Sequence, residues 1–206
     1  MEPIDRIVGT MLPLPRANVD TDQIMPKEFL KRVERTGYGE FLFHDWRHRP
    51  DGEPDPEFVT NRPEYRNARI LLTGANFGSG SSREHAPWGL MDWGFQAIVA
   101  PSFADIFYSN CTKIGLLPVQ LSEDETRWLI GVAETDPTAE ATIDLTSQTV
   151  IIGAPYAGQS FEAHFEIDPF IRYRLLNGLD DIDITLRHGS DIDVFERSRP
   201  VFMPRL

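Results

Sequence analysis

The sequence predicts one α/β domain, and three observations support this fold class. Between residues 68 and 134, short apolar runs of strand length alternate with helical stretches. Between residues 141 and 167, apolar and polar residues alternate in segments that are typical of antiparallel strands. The 206 residues, of which 41% are hydrophobic, are enough for one domain with a substantial core or at most two small ones. We therefore expect an α/β domain with a β-rich appendage.

Local patterns define the individual elements. Residues 68–73 form an apolar run of strand length, and residues 88–93 fit one amphipathic helix. Ser122 followed by three acidic residues is typical of a helix start, and Gly178 is typical of the position after a helix end. The other predicted elements are strands at 97–100, 116–121, 141–145, 149–152 and 160–167, and helices at 102–114, 123–134, 168–177 and 190–197.

The stretch Gly-Ala-Asn-Phe-Gly-Ser-Gly-Ser-Ser-Arg-Glu-His-Ala, residues 74–86, joins the first predicted strand to the first predicted helix. Its glycines allow a ligand to approach the main chain closely. Ser81 and Glu84 have the spacing of a capping box, which would place Ser81 at the helix N-terminus. Pro87 then falls beyond the first turn, so the alternative is a helix that starts two or three residues later or begins with a distortion.

Either arrangement predicts an anion site. Unpaired N–H groups and the positive end of the helix dipole would face the space enclosed by residues 78–82, and Arg83 adds a fork that suits a carboxylate or phosphate. The common motifs are excluded by single residues. A P-loop needs a lysine where Ser81 stands, the dinucleotide motif needs a glycine where Arg83 stands, and no G-x-S-x-G elbow is present.

The composition limits the partners and the compartment. A net charge of −12 disfavours nucleic acid and anionic membranes as partners, and its simplest interpretation is solubility. The first residues lack a secretory signal pattern and no run approaches a membrane span, so we expect a cytoplasmic protein. The single cysteine, Cys111, is expected to be a small buried hydrophobe rather than a nucleophile.

Two segments before the first predicted strand, 18–26 and 27–43, have patterns that can be interpreted in more than one way. Asp20 and Asp22 in segment 18–26 would share a face if that segment is extended, and the alternative is a turn in which Asp and Thr side chains bond nearby backbone. Segment 27–43 has a basic run followed by two glycines among aromatic residues, which suggests a mobile loop. The alternative for that loop is that the aromatic and apolar residues 41–43 anchor it in the core.

Segment 44–63 is polar and proline-rich, which indicates an excursion rather than a domain boundary. His44 and His48 have a spacing that could bind a metal, but a solvated face is the preferred interpretation.

Three motifs together resemble a known family. They are residues 78–86 (GSGSSREHA), residues 18–26 (NVDTDQIMP) and residues 101–107 (PSFADIF). The chain resembles the small-subunit family of 3-isopropylmalate dehydratase from about residue 7 to about residue 202. The resemblance implies the swivelling β/β/α domain of the aconitase superfamily. It also implies isomerisation of 2- and 3-isopropylmalate, through dehydration and rehydration, in leucine biosynthesis.

The resemblance also implies roles for individual residues. Ser81 matches the catalytic base, Ser82 and Arg83 match the groups that hold substrate carboxylates, and Arg35 is a looser match for a substrate-binding residue. Segment 27–43 looks like the loop that selects the substrate. The residues expected to support the site are Asp20, Thr21, Asp22, Gly78, Gly80, Glu84 and His85, with a capping role for Glu84 and a buried, hydrogen-bonded imidazole for His85.

The single cysteine determines how such an enzyme would have to be assembled. Aconitase-type dehydratases use a [4Fe–4S] cluster as a Lewis acid, and cysteine thiolates hold such clusters. With one cysteine the chain is expected to carry no cofactor or metal, so the cluster would lie on a partner large subunit in a heterodimer.

Two other classes stay open at this point. One is a related hydro-lyase small subunit that acts on citraconate, dimethylmalate or homoaconitate, and the other is a non-catalytic carboxylate-binding module.

Overall fold

In the computed structural model, residues 1–31, 36–81, 83–156 and 159–199 are described, and they form one mixed seven-stranded sheet with helices on both faces. The strand order is β4-β3-β2-β1-β5-β6-β7. The strands are β1 (Arg6–Leu14), β2 (Ile70–Thr73), β3 (Ala97–Ala100), β4 (Leu117–Gln120), β5 (Glu140–Asp144), β6 (Thr149–Tyr156) and β7 (Gln159–His164). The helices are α1 (Thr21–Ile24), α2 (His44–Arg47), α3 (His85–Trp93), α4 (Asp105–Ile114), α5 (Glu123–Thr135), α6 (Pro169–Asn177), α7 (Asp181–Leu186) and α8 (Gly189–Arg197).

Strand β1 joins the two halves of the sheet. It pairs in parallel with β2 on one side and antiparallel with β5 on the other. The parallel half continues through β3 and β4, and the antiparallel half continues through β6 and β7. The predicted β-rich portion is therefore continuous with the main sheet.

The register of the parallel half brings several loops to one edge. Leu14, the last residue of β1, lies opposite Thr73, the last residue of β2. Strands β3 and β4 end at the same edge, because Ala100 pairs with Gln120. In parallel sheets the carboxyl edge is where ligand-binding loops collect. The predicted site loop, which follows β2, lies at this edge.

The core has two parts, one on each face of the sheet. One face packs against α5 and α6 and contains Leu129 and Leu175. The other packs against α1, α3, α4 and the segment before α2. Strands β2 and β3 are buried along their whole length, which explains why residues 70–72 and 97–100 are continuously apolar.

Most predicted elements are confirmed, with shifts of a few residues at their ends. Helix α4 begins at Asp105 rather than at residue 102, because Ala104 still has an extended backbone. The capped start of α5 at Ser122 and the left-handed glycine after α6 are present as predicted. No helix in these described ranges is both long enough and apolar enough to span a membrane.

The second half of segment 27–43 contributes apolar side chains to the core. Tyr38, Leu42 and Phe43 have no exposed surface and belong to the core. The alternative, in which apolar residues anchor the segment, is confirmed for Leu42 and Phe43. Arg32 and Arg35 lie outside the described residues.

The two histidines of segment 44–63 lie on and just after helix α2. Their rings are 4.4 Å apart, and the Nδ1 atom of His48 is 2.9 Å from the carbonyl oxygen of His44. Both are partly buried, so the preferred interpretation of a solvated face is only partly right. The described part of the chain contains no cluster of His, Cys, Asp or Glu suited to a metal ion.

Candidate active site

The glycine-rich loop is held by hydrogen bonds to neighbouring loops at the carboxyl edge of the sheet. The N–H of Gly74 donates to the carbonyl of Arg16 at 3.0 Å, and the N–H of Phe77 donates to the carbonyl of Ser102 at 3.1 Å. The N–H of Asn76 donates to the side chain of Ser102 at 2.9 Å. These bonds set the path of the loop before it reaches the serines.

Gly78 has a conformation and a position that strongly disfavour any other residue. Its φ is +78°, and a Cβ atom built on it would lie 2.1 Å from the Cγ atom of Phe107. Gly80 also has a positive φ, +90°, but its Cβ would meet the Cβ of Asp20 only at 3.3 Å. The close approach between the loop and α4 therefore depends on Gly78 above all.

The second sequence motif lies directly against the loop. Val19 accepts hydrogen bonds from the N–H groups of Gly78, at 2.8 Å, and Ser79, at 3.2 Å. Thr21 donates its N–H to the carbonyl of Ser79 and its hydroxyl to the carbonyl of Ser81, both at 2.8 Å. Residues that are about 60 positions apart in the sequence thus form one rigid unit.

These bonds change the predicted anion site. The N–H groups of Gly78 and Ser79 are already used, so they are not available to a ligand. The N–H groups of Gly80, Ser81, Arg83 and Glu84 have no partner among the described residues. The part of the loop that can bind an anion through its backbone is therefore its end, next to α3.

The predicted capping box at Ser81 and Glu84 is wrong. Helix α3 begins at His85, and its N-cap is Glu84, whose side chain makes no capping hydrogen bond. The carbonyl of Ser81 is instead held by Thr21. Pro87 becomes the third helical residue, where a missing N–H costs nothing, so the alternative of a later helix start is confirmed.

Asp20 and Asp22 do not share the face of an extended segment. Asp20 is the N-cap of α1: its carboxylate accepts the N–H of Gln23 at 2.8 Å, and the Gln23 side chain accepts the N–H of Asp20 at 2.9 Å. The interpretation as a turn with side chain to backbone bonds is confirmed. Asp22, one residue into the helix, points its carboxylate toward Arg83.

Arg83 forms an ion pair with Asp22. The Nη1 atom of Arg83 donates to the carboxylate of Asp22 and lies 3.4 Å from the carbonyl of Met25, and its side chain is only 10% exposed. Burial raises the pKa of Asp22, but the hydrogen bond and charge of Arg83, helped by Lys27, lower it below its usual value. Nε and Nη2 of Arg83 make no hydrogen bond to the described residues. One side of the guanidinium is fixed, and the other is available for a ligand.

His85 lies between two aromatic rings. Its ring centroid is 5.2 Å from that of Tyr38 and 4.8 Å from that of Trp88. Its pKa is lowered by burial, and Arg83 lowers it further against the opposing effect of Glu84. No hydrogen bond joins the ring to any described residue, so the expected hydrogen-bonded imidazole is not found. The lowered pKa favours the uncharged form of this histidine.

The structure brings together most of the predicted site residues. Ser81 is exposed and two residues from Arg83 in the chain. Gly78 and Gly80 belong to the same loop, and Asp20, Thr21 and Asp22 lie against it. Ser82 and Arg35 lie outside the described residues. Sequence reasoning missed Tyr38, which packs on His85 and whose N–H bonds the carboxylate of Asp92 at 2.8 Å. No local pattern could reveal that contact, because its partners are about 50 residues away.

Cys111 cannot serve as a cluster ligand in this structure. Its side chain is completely buried in the core, and burial raises the pKa of its thiol well above the ordinary value. A [4Fe–4S] cluster needs several accessible thiolates, and this chain has one cysteine. The residues present therefore do not fit a cluster.

Comparisons with known proteins agree with this architecture. A family model for the aconitase C-terminal domain matches residues 1–124. The 3-isopropylmalate dehydratase small subunit of Rubrobacter xylanophilus is 54% identical over 206 residues, which is 100% of both chains. That of Bacillus subtilis is 49% identical over 199 residues, 97% of both chains.

A crystal structure of 3-isopropylmalate dehydratase from Methanocaldococcus jannaschii has the same fold. It aligns with a TM-score of 0.64 at 23% identity and covers 92% of this chain and 98% of that chain.

The fold and the glycine-rich site define the class: this is an aconitase C-terminal domain, with the swivelling β/β/α architecture that the motifs imply. Within that class, identities of about 50% along essentially the whole chain are decisive. The chain belongs to the family of 3-isopropylmalate dehydratase small subunits.

Proposed function

We propose that this chain, together with a large subunit, isomerises 2-isopropylmalate and 3-isopropylmalate by dehydration and rehydration, a step of leucine biosynthesis in the cytoplasm. The support is the 54% identity over the full length and a site that suits a dicarboxylate. The observation that carries the proposal is the Asp22–Arg83 pair. It holds a nearly buried guanidinium, two residues from Ser81 in the chain, and leaves one side of its fork without a partner among the described residues.

Arg83 binds a substrate carboxylate in this proposal. An arginine fork can make two parallel hydrogen bonds to a carboxylate, which sets the orientation as well as the affinity. Asp22 holds the guanidinium through Nη1, so a carboxylate would approach Nε and Nη2. Ser82 and Arg35 are proposed as further substrate-binding residues on the strength of the sequence motif.

Ser81 is the proposed catalytic base, which removes the proton from the substrate carbon. A serine hydroxyl is far too weak an acid to ionise at neutral pH without help. Four N–H groups without a partner among the described residues, those of Gly80, Ser81, Arg83 and Glu84, would stabilise the alkoxide. The N-terminus of α3 and the guanidinium of Arg83 would add to this effect. Thr21 fixes the carbonyl of Ser81 at 2.8 Å, which orients the backbone that carries the hydroxyl.

Segment 27–43 is proposed to select the substrate. An isopropyl group needs an apolar wall, and the rings of Phe29 and Phe41 stack with their centroids 4.2 Å apart, partly exposed. The ring of His44 lies 4.9 Å from that of Phe29 and extends this surface. The buried second half of the segment would hold the wall in place.

The cofactor in this proposal is a [4Fe–4S] cluster on the large subunit, and this chain completes the pocket around it. The neighbouring hydro-lyase activities on citraconate, dimethylmalate or homoaconitate differ chiefly in the substrate loop. They therefore have to be separated by experiment.

Reconstitution tests the function. The isolated chain should be colourless and inactive, and mixing it with a cluster-loaded large subunit should give conversion of (2S)-2-isopropylmalate to (2R,3S)-3-isopropylmalate. A panel of 2-alkylmalates assayed with the same pair should show the highest kcat/KM for the isopropyl compound. Activity of this chain alone and without iron, or a clear preference for another malate, would contradict the proposal.

A further inference from the structure

A second polar cleft lies apart from the site described above, behind the C-terminal end of α3. It has a volume of about 290 Å³ and is lined by residues of α2, of segment 54–66 and by Trp93. Three of its lining residues are arginines, and none of its lining residues is acidic. In a chain with a net charge of −12, such a concentration of positive charge needs an explanation.

Arg47 forms the back of the cleft. Its Nη1 atom donates to the carbonyls of Gly39, Glu40 and Leu42 at 3.1 to 3.5 Å, and its Nε atom donates to the side chain of Asn61 at 3.1 Å. The guanidinium lies over the ring of Trp93, 4.5 Å from its centroid. It forms no ion pair with any described residue. Burial lowers its pKa, as expected for a cation that lacks a counter-ion.

Arg62 and Arg66 form the rim. Arg62 donates to the carbonyl of Glu57 at 3.1 Å, and its distance of 4.0 Å from the Glu57 carboxylate makes that ion pair weak. Arg66 is exposed and pairs with no acidic group in the described ranges. The rim therefore offers two guanidinium groups whose charges are largely uncompensated.

The wall contains two buried polar atoms without a protein partner. Thr60 is 3% exposed, and its hydroxyl has no hydrogen bond to the described residues. The indole N–H of Trp93 is also closed to solvent and lacks a partner among them. Both groups can donate a hydrogen bond, and a buried donor without an acceptor is unfavourable. Both atoms belong to residues that line the cleft, but they lie behind its accessible surface.

We propose that this cleft binds a small oxyanion, either a phosphate or a carboxylate, between Arg47, Arg62 and Arg66. Oxygen atoms of such a ligand would accept hydrogen bonds from the arginine side chains, and a small rearrangement of the wall would bring Thr60 and Trp93 within reach. The site is separate from the one proposed for the substrate, because it shares no lining residue with the glycine-rich loop.

The test is a titration of the full chain, labelled with ¹⁵N at the tryptophan indoles, with inorganic phosphate and separately with malonate at constant ionic strength. The Trp93 resonance is assigned from its loss in Trp93→Phe. Arg66→Gln is the informative variant, because Arg66 is exposed and its side chain has no hydrogen bond or ion pair to the described residues. Arg47 is unsuitable, since its removal would also release three carbonyls. Arg127→Gln, on the exposed face of α5, is the matched control.

The proposal predicts a saturable shift of the Trp93 indole signal with a dissociation constant of about 10 mM or tighter. Arg66→Gln should weaken binding at least about 10-fold, the loss expected for one charge-assisted hydrogen bond, and Arg127→Gln should leave it unchanged. Tighter binding of phosphate or of malonate tells which oxyanion the cleft prefers. No saturable shift with either probe, or equal affinity in Arg66→Gln and the unmodified chain, would overturn the proposal.

Discussion

Gly78→Ala should destabilise the protein, because a methyl group at this position has no room between the glycine-rich loop and α4. At φ +78° an alanine costs about 1–2 kcal/mol relative to glycine. In addition, the new methyl group would lie 2.1 Å from Cγ and 2.5 Å from Cβ of Phe107. Phe107 is 2% exposed and packs on Phe77 and Phe103, so it has no room to move away. Overpacking of this kind costs about 1–3 kcal/mol, which gives a total of about 2–5 kcal/mol.

Urea unfolding of the purified chain, followed by circular dichroism, measures this loss. Gly80→Ala is the matched control: it has the same backbone strain, but its Cβ would approach Asp20 only to 3.3 Å, so we expect a loss of about 1–2 kcal/mol. Gly131→Ala, in α5 with no atom near the new methyl, should stabilise by about 0.5–1 kcal/mol. A loss at Gly78 no larger than that at Gly80 would refute the argument that the loop and α4 need this close contact.

Three further predictions concern side chains of the site and the core. Arg83→Lys in the reconstituted enzyme should lower kcat/KM, with a loss of transition-state stabilisation of about 2–4 kcal/mol, because a lysine keeps the charge but loses the fork. Nearly full activity of this variant would rule out Arg83 as the group that holds the carboxylate. Asp22 has a lowered pKa, so its stabilising contribution is complete above its unfolded pKa of about 3.9 and is lost as the pH falls through the folded value. Melting temperatures of Asp22→Asn should therefore fall less steeply than those of the unmodified chain in this acid range, and parallel curves would contradict the ion pair. Cys111→Ala should keep full activity in the reconstituted enzyme, and the native thiol should resist alkylation; loss of the cluster in this variant would show that the chain does contribute a ligand.

The parallel half of the fold could be predicted from the sequence because its signals are local. Residues 97–100 are apolar on both faces of the strand, and Ser122 with Glu125 carries a complete helix-start pattern. Strand β1 gives no such signal, although it is the strand that joins the two halves of the sheet. Gly9 and Pro13 interrupt it, and Val8 is 41% exposed, so its pattern is neither continuously apolar nor cleanly alternating. Its identity as a strand comes from its pairing with β2 and β5.

The candidate site could be located from the sequence, but its internal contacts could not. The loop at 74–86 has a composition that is informative by itself. The pairing of Asp22 with Arg83 depends on two segments that only the fold brings together. The capping-box prediction at Ser81 failed for a similar reason: Thr21 holds the carbonyl of Ser81, and this tertiary bond outweighs the local spacing rule.

The most direct test of the account is the activity of Ser81→Ala in the complex with the large subunit. If Ser81 is the base, kcat should fall by at least about 10²–10⁴-fold, while KM stays nearly unchanged. The melting temperature should also stay nearly unchanged, because Ser81 does not cap α3. Ser82→Ala is the control and should raise KM more than it lowers kcat. A Ser81→Ala enzyme that keeps its kcat, or a pair of variants in which Ser82→Ala shows the larger loss of kcat, would contradict the assignment of Ser81 as the base.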